Sequence, residues 1–296
     1  MKDDFILIKE GDHLCGRFQA MASRCELLFD MQDDKQAFVL MRAALKETRR
    51  IEHKYSRYLR GNLMYSMNNS LGKPIAIDSE TSNLLAFANT CFEMSQGKFD
   101  ITSGILRRAW KFDGSNKLPS KSQVEELLPY IGWQKIKYKE NELIVPPNFE
   151  LDFGGIGKEY AVNKVAQIMS IALPESSVLI NFGGDIQVTQ PRNKSPYWQV
   201  GIENPSSKTS TAVVNIAQGG LATSGDANRF LLKDGVRYSH VLDPHTGFPV
   251  IDAPRSVTVA SDHCIEAGLM ATLSLLQGKN AEVFLEEQGM VFWSHR

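Results

Sequence analysis

The chain has 296 residues, 43% of them hydrophobic, which is enough to bury a large core and too many for a disordered segment. Lys and Arg number 33 against 34 Asp and Glu, so there is no basic excess to neutralise a nucleic-acid backbone. The four cysteines, Cys15, Cys25, Cys91 and Cys264, lie far apart without a C-x-x-C pair, which favours free thiols over zinc or a disulfide framework.

No run reaches the roughly 18 apolar residues of a membrane span, so no membrane partner is expected. The N-terminus lacks the apolar stretch of about 7 to 15 residues that marks a signal peptide, and a soluble cytoplasmic protein is expected.

In chain order, residues 25–29 read as a short strand. Residues 34–58 carry helical spacing through Phe38, Met41, Leu45 and Ile51. A second helix is predicted over 79–94, with Ser79 as N-cap and Gly97 as the stop signal. Residues 113–121 read as a loop, 120–128 as a short helix, and 135–138 with 142–145 as a small hairpin. A helix is predicted from Lys158 to about residue 171.

Strand signals then dominate, at 178–182, 186–188, 198–202, 212–217, 221–223, 238–242 and 256–260. Helices at 265–277 and 280–288 follow. Short turns between strands predict a largely antiparallel sheet, and helices before and after it predict the α+β class. No linker is evident, so one domain over 1–296 is expected. It would have a helical part to about residue 150 and a strand-rich part closely packed on it.

Several segments carry chemistry. Gly154-Gly155-Ile156-Gly157-Lys158 offers bare amides and a lysine at a helix start, which suits a phosphate, although a tight turn with a solvated lysine explains it equally well. It is neither a Walker nor a Rossmann fingerprint. Asn181-Phe182-Gly183-Gly184-Asp185 is either a close-approach loop or a plain hairpin turn. Thr223-Ser224-Gly225-Asp226 offers hydroxyls for a phosphate or a substrate carbonyl, or merely closes a turn, and Gly97-Lys98-Phe99-Asp100-Ile101-Thr102 places a carboxylate beside an aromatic ring, which in isolation reads as a simple capped turn. The segment from Ser239 to Pro249 sets an imidazole, a carboxylate and a hydroxyl beside one another in a turn fixed by two prolines and a glycine, with a surface turn after a strand as the plain alternative.

Taken together and in order, these segments resemble the FAD:protein FMN transferase family, flavin transferases formerly called thiamine-biosynthesis lipoproteins. The resemblance runs from about residue 16 to residue 278. Ala20-Met21-Ala22-Ser23 is similar to the family's M-G-T segment. Ser56-Arg57-Tyr58 with Asn68 is similar to S-x-Y…N, and residues 97–102 to G-x-F-D-x-T. Residues 151–160 are similar to D-x-G-x-x-x-K-G-Y, and Asn181-Phe182-Gly183-Gly184 to N-x-G-G.

The resemblance implies an α+β, T-fold-like architecture with FAD bound as substrate. It implies cleavage of the FAD pyrophosphate, transfer of FMN to a Thr or Ser hydroxyl of an acceptor flavoprotein, and release of AMP. By the same carry-over Met21, Tyr58, Lys98, Phe99, Asp100, Asp152, Lys158 and Val241 line the FAD site. His240 is expected as the base that takes the hydroxyl proton, with Asp243 orienting that ring or positioning the turn. Magnesium is expected on the pyrophosphate, held by the Gly155 carbonyl and Thr272.

The pattern breaks in places. Where the family reads A-D-A-L-x-T, this chain reads Ala267-Gly268-Leu269-Met270-Ala271-Thr272, so Gly268 replaces a carboxylate that a hard cation would favour. At about 100° per residue, Gly268 lies roughly 40° around the helix from Thr272 and Glu266 roughly 120°, so Glu266 does not substitute. Asp262 folding back, or FAD phosphates and waters, are the alternatives left open. Glu159 also replaces the glycine after the lysine, and Asn163 stands where an acidic residue is common.

Gly268 keeps a noncatalytic FAD-binding protein open as an alternative. Attack by water instead of an acceptor hydroxyl would make the chain an FAD pyrophosphatase. A hydrolase built from Ser224, His240 and Asp243 is disfavoured because Ser224 lacks a G-x-S-x-G elbow.

Overall fold

The structure is a computed structural model that describes residues 4–113, 116–205, 207, 210–226 and 230–296. Its elements, in order, are β1 (Phe5–Glu10), β2 (His13–Ala20), β3 (Ser23–Phe29), α1 (Asp34–Tyr55), α2 (Leu63–Asn68), β4 (Ile75–Ala76), α3 (Ser79–Met94), α4 (Lys121–Glu125), β5 (Lys137–Lys139), β6 (Glu142–Ile144) and α5 (Gly157–Ala172). They continue as β7 (Val178–Phe182), β8 (Asp185–Val188), β9 (Trp198–Glu203), β10 (Ser210–Ile216), β11 (Gly219–Gly225), β12 (Phe230–Lys233), β13 (Val236–Ser239), β14 (Ser256–Ser261), α6 (Cys264–Leu275), α7 (Ala281–Glu287) and β15 (Val291–His295).

Eight strands form one sheet in the order β1-β2-β3-β7-β8-β11-β14-β15, and every neighbouring pair is antiparallel. The fold is therefore α+β with a large antiparallel sheet. Side-chain alternation gives the sheet two buried faces. Val178, Ile180 and Phe182 of β7 face the main core, which α1, α5 and α6 cover. Leu179, Ile186, Val188 and Leu221 face the opposite way, onto Trp198 and Ile216 of the β9–β10 hairpin. A third cluster around Trp110, Ile105, Leu106 and Val124 lies beneath the turn after β13.

Alternation also places polar groups under the helices. Asp185 and Gln187, two apart on β8, point to the helical face. Gln187 accepts from the Cys264 amide at 2.8 Å, tying β8 to the start of α6. Gly220 on β11 lets α6 approach, since a Cβ there would stand 2.4 Å from the Cys264 nitrogen.

Three sequence expectations need correction. The first part of the chain is not only helical: β1, β2 and β3 build one flank of the main sheet. The N-cap of α3 is Asp78, not Ser79, because the Asp78 carboxylate accepts from the Thr81 amide at 2.9 Å and from its hydroxyl at 2.7 Å. The strand expected over 238–242 ends at Ser239, and Leu242 pairs with Pro249 in an isolated bridge, so His240 lies in the intervening turn. The cysteines are free, as expected, and all four are buried. Among the described residues no helix is long and apolar enough to cross a membrane.

Candidate functional site

The approach to α5 is a loop held from three sides. Asn68, at the end of α2, clamps Leu151 by donating to its carbonyl at 3.0 Å and accepting from its amide at 2.7 Å. The Asp152 amide donates to the Ile101 carbonyl at 2.8 Å, and its Oδ1 accepts from the Gly154 amide at 2.8 Å. Arg57 then links the loop to its neighbours. It donates to Asp152 Oδ2 at 3.0 Å, to the Gly104 carbonyl at 2.8 Å and to Glu150 at 3.1 Å. These bonds turn a glycine-rich stretch into a fixed entry to the helix.

Lys158 sits in the first turn of α5, with its Nζ 2.8 Å from Asp185 Oδ2. Burial works against the ammonium, but the Asp185 and Glu159 carboxyls outweigh it and raise the Lys158 pKa, so the lysine stays charged. Burial raises the pKa of Glu159, and the Asp185 charge adds to the rise. Burial raises Asp185 as well, against the pull of Lys158. Asp185 has the ammonium and the Thr223 amide beside it, and Glu159 Oε2 and Asp185 Oδ2 are both shielded from solvent without a hydrogen bond of good geometry. Both carboxyls are raised by burial, and one proton shared between the two acids is the arrangement this favours.

Helix α6 passes close by. A Cβ on Gly268 would stand 2.7 Å from Glu159 Cγ and 3.0 Å from its Oε1. One turn further on, Thr272 Oγ1 lies 3.1 Å from Ser224 Oγ of β11. Lys98 donates to Gln277 Oε1 at 2.7 Å, just beyond the end of the helix. Among the described residues no group of three or more His, Cys, Asp or Glu side chains is arranged to hold a metal ion. Hydroxyl and carbonyl oxygens would have to complete any cation site.

Residues 97–102 pack between these parts. The Phe99 ring would lie 3.1 Å from a Cβ on Gly155, so the glycine admits the ring. The Asp100 carboxylate is engaged within the chain: it accepts from the Thr102 amide and hydroxyl at 2.7 and 2.6 Å and from the Trp133 amide at 2.9 Å. Gly97 adopts φ +82°, and a Cβ there would stand 3.3 Å from His245 Nε2. Contacts thus run from His245 through Gly97 and Phe99 to Gly155 and Lys158.

The turn after β13 closes with Gly247 donating to the Asp243 carbonyl at 2.7 Å and Trp110 Nε1 donating to the Gly247 carbonyl at 2.8 Å. Gly247 has φ +73°, and a Cβ there would meet Val124 at 2.4 Å, so glycine is needed on both counts. Asp243 Oδ1 accepts from the His245 amide at 2.8 Å and lies 3.2 Å from His245 Nδ1. The His240 ring stands edge-on to Phe112 with centroids 6.3 Å apart.

Met21 is at the β2–β3 turn with φ +52°, its amide donating to Glu52 Oε1 at 2.6 Å. That turn reaches the same place, because a Cβ on Gly183 would stand 2.9 Å from Ser23 Cβ and 3.9 Å from Lys158 Nζ. Val241 is half-buried against the main core. Tyr58 is 78% exposed and lies under the Arg57 guanidinium, 5.8 Å from its ring centroid. Such an open aromatic face is free to stack on a planar ligand. Sequence reasoning passed over Arg57 and Asp185. The signal for Asp185 was its place two before Gln187 on a strand. Arg57 gave none beyond its position in the quoted segment.

A charged lysine at a glycine-rich helix start, beside hydroxyls and enclosed acids under an antiparallel sheet, marks the candidate site of this α+β protein. Residues 21–292 match the ApbE family, and the chain belongs to that family. Relatives named FAD:protein FMN transferase include one from Haemophilus influenzae, 26% identical over 236 residues, covering 76% of this chain and 68% of the relative. The one from Vibrio cholerae is 27% identical, covering 74% and 65%. The one from Escherichia coli K12 is 26% identical, covering 80% and 71%. The chain thus aligns with about two thirds of their length.

Among solved structures, the apbe protein of Thermotoga maritima superposes with a TM-score of 0.86 at 25% identity, covering 98% of this chain and 94% of that one. Flavin Transferase ApbE from Vibrio cholerae gives 0.82 at 22% identity, covering 98% and 93%, which shows the shared fold.

Proposed function

We propose that this chain is an FAD:protein FMN transferase, moving FMN from FAD onto a Thr or Ser hydroxyl of an acceptor flavoprotein and releasing AMP. The observation that carries this reading is the packing of Phe99 on Gly155, of Gly183 and Asp185 on Lys158, and of Gly268 on Glu159 at the start of α5, where the lysine is charged. The names of the family relatives supply the reaction.

Lys158 and the α5 amides hold the pyrophosphate. Lys98, Phe99, Met21 and Val241 form the walls, and the exposed Tyr58 ring stacks on a flat part of the dinucleotide. Asp152 receives a ribose or adenine donor on the oxygen edge that Arg57 and Gly154 leave open. Asp100, with its oxygens already engaged, acts by fixing the loop that carries Phe99. The acceptor hydroxyl attacks the FMN phosphorus and its proton passes to His240. The bond to the AMP phosphate oxygen breaks, and AMP departs with the electron pair. Asp243 holds the turn that presents His240.

Magnesium suits the chemistry of the place, because the Thr272 and Ser224 hydroxyls and the enclosed acids are hard oxygen donors. We assign Thr272 and the Gly155 carbonyl to it; when bound, it supplies positive charge to the pyrophosphate oxygens.

Incubation with FAD, magnesium and a verified acceptor should give a fluorescent band that survives denaturing electrophoresis, together with an equal amount of AMP. AMP without labelled acceptor would support a pyrophosphatase instead, and FAD binding with neither product would support a noncatalytic FAD-binding protein.

A further inference from the structure

We propose that Glu159, reaching from α5 across to α6, supplies the carboxylate oxygen that a divalent cation needs in this site and that Gly268 cannot give. The inference rests on the magnesium reading above. Three observations carry it.

The first is occupancy of space. The Glu159 side chain lies against Gly268 so closely that a Cβ there would stand 2.7 Å from its Cγ and 3.0 Å from its Oε1. The carboxyl therefore fills the position that a short acidic side chain on α6 would fill. Gly268 and Thr272 are four apart on one helix and share a face, so the Glu159 carboxyl and the Thr272 hydroxyl project into the same space.

The second is an unmet need for charge. Of the two enclosed acids, Asp185 has Lys158 Nζ at 2.8 Å. Glu159 Oε2 and Asp185 Oδ2 are both shielded from water and lack a hydrogen bond of good geometry, so the two acids together lack a full complement of positive partners. A buried oxygen without a donor is costly, and a cation is one group that would satisfy it.

The third is the match of the two positions. A long acidic side chain after the lysine of α5 meets a residue on α6 that has no side chain, so the carboxyl is anchored on one helix and lies against the other. A packing role alone would need the shape of Glu159 and not its charge.

The test is a titration of the full chain with Mn2+ in the presence of FAD, following free Mn2+ by electron paramagnetic resonance. FAD affinity is read separately from flavin fluorescence, and folding from the melting temperature. Glu159→Gln keeps the shape and removes the charge, and should weaken Mn2+ binding by ~10-fold or more. The double variant Glu159→Gly with Gly268→Asp should recover most of that loss, because the carboxylate returns from the other helix. Wild-type Mn2+ affinity in folded Glu159→Gln would overturn the inference and leave the magnesium reading standing. Absence of Mn2+ binding in the wild-type chain with FAD bound would overturn both.

Discussion

Glu159 and Gly268, on facing helices, share one side chain's worth of space: the Cβ position of residue 268 falls 2.7 Å from Glu159 Cγ. A close-packed interior does not accommodate such a contact without movement. Gly268→Ala should therefore cost about 1–3 kcal/mol by overpacking. In a Glu159→Ala background the same change should cost nothing or stabilise by about 1 kcal/mol, since alanine is the better helix former. Urea unfolding of the four proteins in this double-mutant cycle measures the coupling. Equal effects of Gly268→Ala in both backgrounds would contradict the contact.

Lys158 is the charged anchor for the phosphates. Lys158→Met removes a charge-assisted hydrogen bond worth about 1.5–3 kcal/mol, so FAD affinity should fall by roughly 10- to 100-fold. A flavin fluorescence titration reads this directly. Unchanged affinity in a folded variant would remove Lys158 from the binding site.

His240 and Asp243 should separate in their effects. His240→Ala is expected to lower the rate of FMN transfer by about 10²- to 10⁴-fold while leaving FAD affinity intact. Asp243→Asn weakens the bond to the His245 amide and should act through the turn, lowering the melting temperature along with activity. Single-turnover labelling with thermal unfolding distinguishes the two. Loss of FAD affinity in His240→Ala, with chemistry unchanged, would contradict the role of base.

Much of this was legible in the sequence because local chemistry decided it. The start of α5 was marked by glycines and a lysine. The strands from β7 to β11 were marked by β-branched runs with turn residues between them. The strands that escaped include β1, at the edge of the sheet, and β2. β2 carries Gly16 in its middle, which makes room for Met41, since a Cβ there would stand 2.1 Å from the Met41 sulfur. That need is tertiary, and no local pattern announces it. β15, Val291–His295, is an edge strand with little apolar alternation.

The site divided the same way. Residues within a motif were found, whereas partnerships between motifs were not. Arg57 with Asp152, Asp185 with Lys158, and Glu159 with Gly268 join segments far apart in the chain. Glu159 and Gly268 stood out in the sequence as two separate departures, and only the packing of α5 on α6 makes them one.

Acid should loosen a network that braces α5. Arg50, at 2.8 Å, lowers the Glu80 pKa most; burial opposes it, and Lys54 and the Tyr160 hydroxyl add to the fall, leaving the carboxyl at about 2 against an ordinary 4.5. A depressed carboxylate pKa gives stability that is complete above the unfolded value and is lost as pH falls through the folded one. The contribution of Glu80 should therefore hold above pH 4.5 and decline toward pH 2. Urea midpoints against pH for the wild-type chain and Glu80→Gln check this. The gap between the two curves should close over that window, and parallel curves would contradict the assignment.

The dinucleotide's phosphate bridge is the feature on which every functional role here depends, and a crystal structure of the chain with FAD and Mn2+ locates it. The pyrophosphate should lie at the N-terminus of α5 within hydrogen-bonding distance of Lys158 Nζ, with an anomalous manganese peak between it and Thr272. FAD bound elsewhere, or with its phosphates turned away from Lys158, would contradict the proposed site.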